Sequence, residues 1–107
     1  MKIQIKTKNL ELTEPMRAFI IQKVSTLEKF LGGFEKDQDV LVEVEIARPS
    51  QHHNKGNVYY AEINMALPSK KLLRAEETDF NIRVAVNKVK DKLRREIRKY
   101  KTALDKK

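Results

Sequence analysis

A chain of 107 residues is long enough for one domain with a modest hydrophobic core. Its 40% hydrophobic content excludes a disordered chain, and the lack of cysteine excludes disulfides and thiolate metal sites. The 23 basic and 15 acidic residues give a net charge of +8, which predicts a polyanionic partner, either nucleic acid or an anionic membrane surface. No apolar run suits a signal peptide or a membrane span, so we expect a cytoplasmic protein.

The first third of the chain predicts a strand followed by a helix. Residues 2–8 alternate between polar and apolar side chains, as in a half-buried strand. Thr13 can cap a helix whose first turn contains Glu14 and Pro15. Apolar residues then recur at helical spacing until Gly32 and Gly33, so we predict a helix over 14–31.

The remainder of the chain predicts three strands and a second helix. The strands cover residues 40–48, 57–67 and 71–77, and a polar loop occupies 50–56. Asp79 is a suitable cap for a long helix over about 80–104, and a charged tail begins at about 102. The order is β-α-β-β-β-α. The simplest packing is a single α+β domain, 1–107, with a four-stranded antiparallel sheet and both helices on one face.

The excess positive charge lies on the final helix. Residues 79–107 contain 11 basic and four acidic residues, a net charge of +7, whereas residues 1–78 carry only +1. At 3.6 residues per turn, one narrow sector of this helix is apolar and must face the sheet: Ile82, Val86, Val89, Leu93, Ile97, Tyr100 and Leu104. Cations border this sector on one flank (Lys88, Lys92, Arg95 and Lys99) and on the other (Arg83, Lys90, Arg94, Arg98 and Lys101).

Two flanks of like charge are typical of a surface that binds a phosphate backbone. Repulsion along each flank costs a few tenths of a kcal/mol per pair, and a polyphosphate would relieve it. An ordinary solvated face would mix positive and negative side chains. A membrane-bound amphipathic helix is disfavoured because the apolar sector is already needed to cover the sheet. We therefore expect no membrane partner.

Other features give no sign of catalysis or of a cofactor. His52 and His53 lack a third ligand at suitable spacing, so a polar loop explains them better than a metal site. We find no catalytic triad and no glycine-rich phosphate loop, and we predict that the chain is not an enzyme and has no small-molecule substrate. Tyr60 could offer a stacking surface on the open sheet face. That face also carries glutamates that would repel RNA, namely Glu43, Glu45 and Glu62.

Several segments resemble the family of ribosome hibernation-promoting factors, which includes ribosome-associated inhibitor A. They are the Thr-Glu-Pro-Met start of the first helix, the His-Asn-Lys-Gly loop, the run Leu72–Glu77 and the run Asp91–Lys101. The resemblance covers essentially the whole chain. It implies a fold similar to a double-stranded-RNA-binding domain with an added strand. It also implies binding to 16S rRNA of the small ribosomal subunit and to the 70S ribosome, where members block messenger and transfer RNA near the decoding centre, in stationary phase or under stress.

By resemblance, Lys92, Arg95 and Lys99 match the principal rRNA-contacting cations of the family. The complete set of candidate rRNA-binding residues adds cations from both helices, the loop and the start of the fourth strand: Lys88, Arg98, Lys23, Lys29, Lys55, Lys71 and Arg74. The chain departs from the family pattern early in the last helix. Arg83 stands there in place of an aromatic residue, and Asn81 and Asn87 stand in place of acids.

Two alternatives remain open for function and two for the extent of the protein. The chain could be a general double-stranded-RNA-binding module, or it could regulate a sigma factor through protein contacts. It resembles a short family member, and it equally resembles the N-terminal part of a long one.

Overall fold

The structure is a computed structural model that describes residues 1–32, 34, 39–48, 58–68 and 70–105. Its elements follow the predicted order: β1 (Lys2–Lys8), α1 (Glu14–Ser25), a 3-10 helix (Thr26–Phe30), β2 (Leu41–Ala47), β3 (Tyr59–Ala66), β4 (Leu72–Asp79) and α2 (Ile82–Asp105). The four strands form one sheet in the order β1-β2-β3-β4, with both helices on one face. The predicted α+β fold is confirmed. The loop at 50–56, with Lys55, His52 and His53, lies outside the described residues.

The sheet is mixed, so the prediction of an antiparallel sheet is wrong for β1. Strand β1 pairs with β2 in parallel, from Lys2 opposite Leu41 to Lys8 opposite Ala47. The other two pairings, β2 with β3 and β3 with β4, are antiparallel. The reason is that α1 lies between β1 and β2 in sequence. A crossover helix returns the chain to the end of the sheet from which it departed, and the next strand then runs in the same direction.

Helix α1 begins as predicted and ends earlier than predicted. The Thr13 hydroxyl accepts a hydrogen bond from the Met16 amide at 3.2 Å, which caps the helix. At the other end, the Thr26 hydroxyl donates to the Lys23 carbonyl at 2.6 Å. Hydroxyl side chains of this kind compete with helical backbone bonds, and the chain tightens into the 3-10 helix Thr26–Phe30.

Helix α2 begins after two consecutive side-chain-to-backbone turns. The Asp79 carboxylate accepts from the Asn81 amide at 3.0 Å. The Asn81 side chain then accepts from the Arg83 and Val84 amides at 2.8 and 3.3 Å, which makes Asn81 the cap. The prediction that Asp79 caps this helix is therefore wrong by two residues. At its other end α2 continues to Asp105 and includes residues predicted to begin a charged tail.

The core lies between the sheet and the two helices and is entirely apolar among the described residues. Alternate residues of β2, β3 and β4 meet Ile20 and Val24 of α1 and the predicted sector of α2, of which Val86, Val89, Leu93 and Ile97 are buried. Leu104 is an exception, because 40% of it remains exposed. The helix runs antiparallel to β4, and at Tyr100 it has already reached Lys71, just before β4 begins. Leu104 thus lies beyond the end of the sheet.

Candidate nucleic-acid interface

One cationic flank of α2 projects past the edge strand β4. We call Lys88, Lys92, Arg95 and Lys99 the cationic row, because they follow at intervals of three or four residues along one side of the helix. Lys88 donates to the Thr78 carbonyl at 3.0 Å and Lys92 to the Glu76 carbonyl at 3.2 Å. These carbonyls belong to the strand at the edge of the sheet, so the two lysines also cover backbone groups that a foreign strand could otherwise pair with.

The cationic row has a partly neutralised half and an unpaired half. Lys88 lies 3.5 Å from Asp79 and 3.8 Å from Glu77, and Lys92 lies 3.4 Å from Glu77. All of these side chains keep contact with solvent, which limits the strength of the ion pairs. Arg95 and Lys99, by contrast, form no ion pair with any residue in the described part of the chain. Their charge remains available to an external anion.

The second flank of α2 faces α1 and the 3-10 helix. The Arg83 guanidinium stacks 4.8 Å from the centre of the Phe19 ring of α1, and Lys101 lies 5.8 Å from the Phe34 ring. Lys90 pairs with Asp91 at 3.3 Å. Farther along, Arg94 and Arg98 line a cleft of about 220 Å³ together with Phe30 of the 3-10 helix. The Nε atom of Arg94 is buried and makes no hydrogen bond within the described chain.

Three predicted cations outside α2 lie over aromatic rings. The Lys23 ammonium is 5.6 Å from the centre of the Phe19 ring, which also carries Arg83, so cations from both helices meet at one ring. Lys29 lies 5.3 Å from the Phe30 ring. Lys71 lies 5.7 Å from the Tyr100 ring, near the end of α2. These contacts hold the alkyl stems against the body of the protein while leaving the ammonium groups at its surface.

Arg74 lies apart from the other predicted residues, on the open face of the sheet. Its guanidinium donates to Glu62 at 2.9 Å and to Glu76 at 3.0 Å. The Tyr60 hydroxyl lies within hydrogen-bond distance of both of these carboxylates and shares its single proton between them. Its hydrogen bond is the largest cause that holds the pKa of Glu62 below its usual value, and Arg74 adds to the effect. Burial and the same hydrogen bonds raise the pKa of Tyr60, so the phenol stays protonated. Arg74 is thus committed to neighbouring acids.

The structure also shows an exposed aromatic residue that sequence reasoning passes over. Phe80, between Asp79 and Asn81, is 73% exposed and is the most exposed large hydrophobic side chain among the described residues. Sequence patterns do not single out Phe80, because it precedes α2 and does not follow the helical spacing of the apolar sector.

No group of three or more potential metal ligands occurs among the described residues. None of their helices is long and apolar enough to cross a bilayer.

Comparison with known proteins identifies relatives of this chain. Proteins named ribosome hibernation promotion factor from Lactococcus lactis and Deinococcus radiodurans are each 31% identical to it, over 99% and 92% of its length. These alignments cover 52% and 48% of the two relatives, so the chain spans about half the length of the curated relatives it matches.

Solved structures share the fold. The N-terminal domain of Protein Y from Thermus thermophilus matches with a TM-score of 0.73 and 25% identity over 94% of this chain and 99% of that domain. A ribosomal subunit interface protein from Coxiella burnetii matches with a TM-score of 0.66 over 95% of this chain and 99% of its own, and at 17% identity it supports the fold alone. The family model described as Sigma 54 modulation protein / S30EA ribosomal protein matches residues 3–105, and the chain therefore belongs to this family.

Proposed function

We propose that this chain binds the small ribosomal subunit through 16S rRNA near the decoding centre, within the 70S ribosome, and promotes ribosome hibernation. The observation that carries the proposal is the exposed charge of Arg95 and Lys99, which pairs with no acid among the described residues, on a helix whose apolar sector is already buried against the sheet. Relatives named ribosome hibernation promotion factor support the hibernation role. Binding to ribosomes would place the chain in the cytoplasm.

Phosphate contacts supply the affinity in this proposal. Residues 79–107 carry a net charge of +7, which concentrates the positive potential along α2. Lys92, Arg95 and Lys99 make the principal contacts, Lys92 once a phosphate competes with Glu77. Lys88 extends the row in the same way against Glu77 and Asp79, and Arg98 adds a contact from the other flank of α2. Lys23, Lys29 and Lys71 add contacts from neighbouring elements, and Lys55 adds one from the loop. Arg74 contributes least, because two carboxylates already hold it.

Inhibition in this proposal is by occupancy and requires no catalytic step. The described body measures 47 × 27 × 20 Å, and an object of this size would obstruct the path of messenger and transfer RNA if seated there. No set of side chains suited to reading base pairs is visible on the cationic row. Specificity then comes from shape, because phosphate contacts carry no sequence information.

The proposal is tested by reversing the charge of the cationic row. Lys92→Glu, Arg95→Glu and Lys99→Glu are combined in one variant, which is sedimented through sucrose with purified small subunits. We expect loss of co-sedimentation, because three attractive phosphate contacts become repulsive. A matched control reverses three exposed lysines of β1, Lys2, Lys6 and Lys8, and changes net charge by the same amount. The control is expected to bind, and thermal melting verifies that both variants fold.

Two other results would favour the alternative functions. Equal affinity of the unmodified chain for plain duplex RNA and for small subunits, in a gel shift at one salt concentration, would indicate a general double-stranded-RNA-binding module. Recovery of RNA polymerase with its sigma factor, rather than ribosomes, in a pull-down would indicate a sigma-factor regulator. Co-sedimentation that survives the reversal of the cationic row would contradict the proposed interface.

A further inference from the structure

The exposed ring of Phe80 has no role in the fold. Phe80 belongs neither to the buried core nor to the partly buried hydrophobic residues that pack against it. Val84, the third residue of α2, is also exposed, by 41%. We call Phe80 and Val84 the apolar ledge. A phenylalanine can bury 150 Å² or more, so leaving its ring in water forgoes a substantial stabilising contact. A partner that covers the ring would recover that contact.

The backbone around Phe80 is fixed on both sides. The Asp79 side chain accepts the Asn81 amide, and the Asn81 side chain accepts the Arg83 and Val84 amides. Phe80 is the middle residue of the first of these turns, so its ring is presented outward from a hydrogen-bonded bend. A group held in this way loses less conformational entropy when a ligand covers it.

The apolar ledge continues the cationic row at its N-terminal end. Val84, Lys88, Arg95 and Lys99 are separated by four, seven and four residues, which places them along one side of α2. The Lys88 ammonium lies against the Thr78 carbonyl and Asp79, the two residues that precede Phe80. From Val84 to Arg95 the helix rises about 16 Å, enough for a few nucleotides of one strand. A strand whose phosphates follow the row would therefore reach the ledge.

We propose that the apolar ledge is a stacking site for an unpaired nucleobase of the RNA held by the cationic row. This inference rests on the proposed function and adds to it a contact that depends on a ring rather than on charge. Single-strand-binding surfaces combine a basic track with aromatic side chains in the same way. A base would cover the Phe80 face, and Val84 would support its edge. RNA is favoured over an apolar protein segment because the ledge lies on the side of α2 that carries Lys88, Arg95 and Lys99, and Asp79 beside Phe80 compensates the charge of Lys88 only in part.

The first experiment compares affinities for purified small subunits. Phe80→Leu keeps the apolar bulk and removes the ring, and it is expected to weaken binding by about 5- to 100-fold. The slope of log K against log salt should stay unchanged, since no charge is removed. Phe80→Trp is expected to bind at least as well as the unmodified chain. Leu72→Ala, at a residue 58% exposed at the start of β4, is the matched control and is expected to bind normally.

The second experiment uses RNA without ribosomes. The chain contains no tryptophan, so Phe80→Trp introduces a single indole whose fluorescence reports on position 80 alone. We expect a single-stranded oligoribonucleotide to quench this emission at low salt, and the same sequence as a duplex to leave it unquenched.

Unaltered affinity of Phe80→Leu for small subunits would overturn the stacking site, and so would an indole that single strands do not quench. Weaker subunit binding by Phe80→Leu without quenching by RNA would assign the ledge to a ribosomal protein instead. Failure of the unmodified chain to bind small subunits is a separate result, because it removes the proposed function itself.

Discussion

Tyr60 organises a group of polar side chains on the open face of the sheet. Its hydroxyl shares one proton between Glu62 and Glu76, and Arg74 donates to the same two carboxylates. Asn64 adds a further donor to Glu62 at 2.5 Å. The strand register brings these residues together, since Glu62 lies opposite Glu76 and Asn64 lies opposite Arg74. Two acids that would repel each other across the strands are thereby held by shared donors.

This cluster predicts an acid-dependent loss of stability. The pKa of Glu62 is lower in the folded chain than the usual value of a glutamate side chain. A lowered folded pKa gives stability that is fully present above the unfolded pKa and is lost as pH falls through the folded pKa. Tyr60→Phe removes the largest cause of the shift. We expect it to lower the free energy of unfolding at pH 7 by about 1 kcal/mol.

The measurement is urea unfolding at pH 7, 5, 4 and 3. The free energy of unfolding of Tyr60→Phe should fall short of that of the unmodified chain by less below pH 5 than at pH 7. The reason is that protonation of Glu62 removes, in the unmodified chain, the stability that the variant already lacks. Tyr59→Phe is the matched control, since the Tyr59 hydroxyl makes no hydrogen bond within the described chain. Parallel pH profiles for Tyr60→Phe and the unmodified chain would contradict the assigned role of Tyr60.

The sequence could not predict which individual cations form ion pairs with neighbouring acids. Helical spacing placed Lys88, Lys92, Arg95 and Lys99 on one flank and predicted their separation from the apolar sector. It could not show that Glu77 and Asp79 reach the first two, because those acids belong to a strand that only tertiary packing brings beside α2. Arg74 is a similar case. Its partner Glu62 is 12 residues away in sequence, and the sheet register sets the contact.

At the scale of elements, the spacing of apolar residues predicted where the strands lie and which side of α2 is buried. Period-two alternation located the strands, and β1 begins and ends at the predicted residues. The apolar sector of α2 is buried from Val86 to Ile97 as its spacing indicates. The direction of β1 depends on the path of α1 across the sheet, which residue periodicity does not encode. Which residue begins α2 could not be predicted, because Asp79 and Asn81 are both good capping residues and lie only two positions apart.

The start of α2 gives a prediction for stability. Asn81→Ala removes the acceptor of the Arg83 and Val84 amides and is expected to lower the free energy of unfolding by about 1 kcal/mol. For a domain of this size the melting temperature should fall by about 4–8 °C. Asn81→Asp retains an acceptor and adds a negative charge at the positive end of the helix dipole, so it should melt at or above the original temperature. Calorimetry checks both variants, and equal melting of Asn81→Ala and the unmodified chain would show that Asn81 is not the cap.

At the scale of the whole molecule, the two faces carry opposite chemistry. The helices present an excess of cations, whereas the open sheet face presents Glu43, Glu45 and Glu62 beside the Tyr60 cluster. Lys6 neutralises Glu43 at 2.9 Å, and this short-range pairing also raises the pKa of the lysine. On the open sheet face the exposed lysines of β1 are mixed with glutamates, so a polyanion is attracted more strongly to the helices, where cations are in excess. This asymmetry orients binding before any close contact forms.

The same asymmetry predicts unequal effects when single cations are neutralised. Each phosphate contact contributes about 0.7 to 0.9 to the slope of log K against log salt, because binding releases condensed counterions. Arg95→Gln removes a charge that no acid in the described part of the chain neutralises, and it should reduce the slope for binding to small subunits by about that amount. Lys88→Gln should reduce it by clearly less, since Asp79 and Glu77 already compensate part of the charge. Lys6→Gln, on the opposite face, should leave the slope unchanged.

Filter binding between 50 and 300 mM salt, roughly the range over which such slopes are resolved, provides the measurement. Equal reductions from Arg95→Gln and Lys88→Gln would mean that the ion pairs of Lys88 do not limit its contact with phosphate.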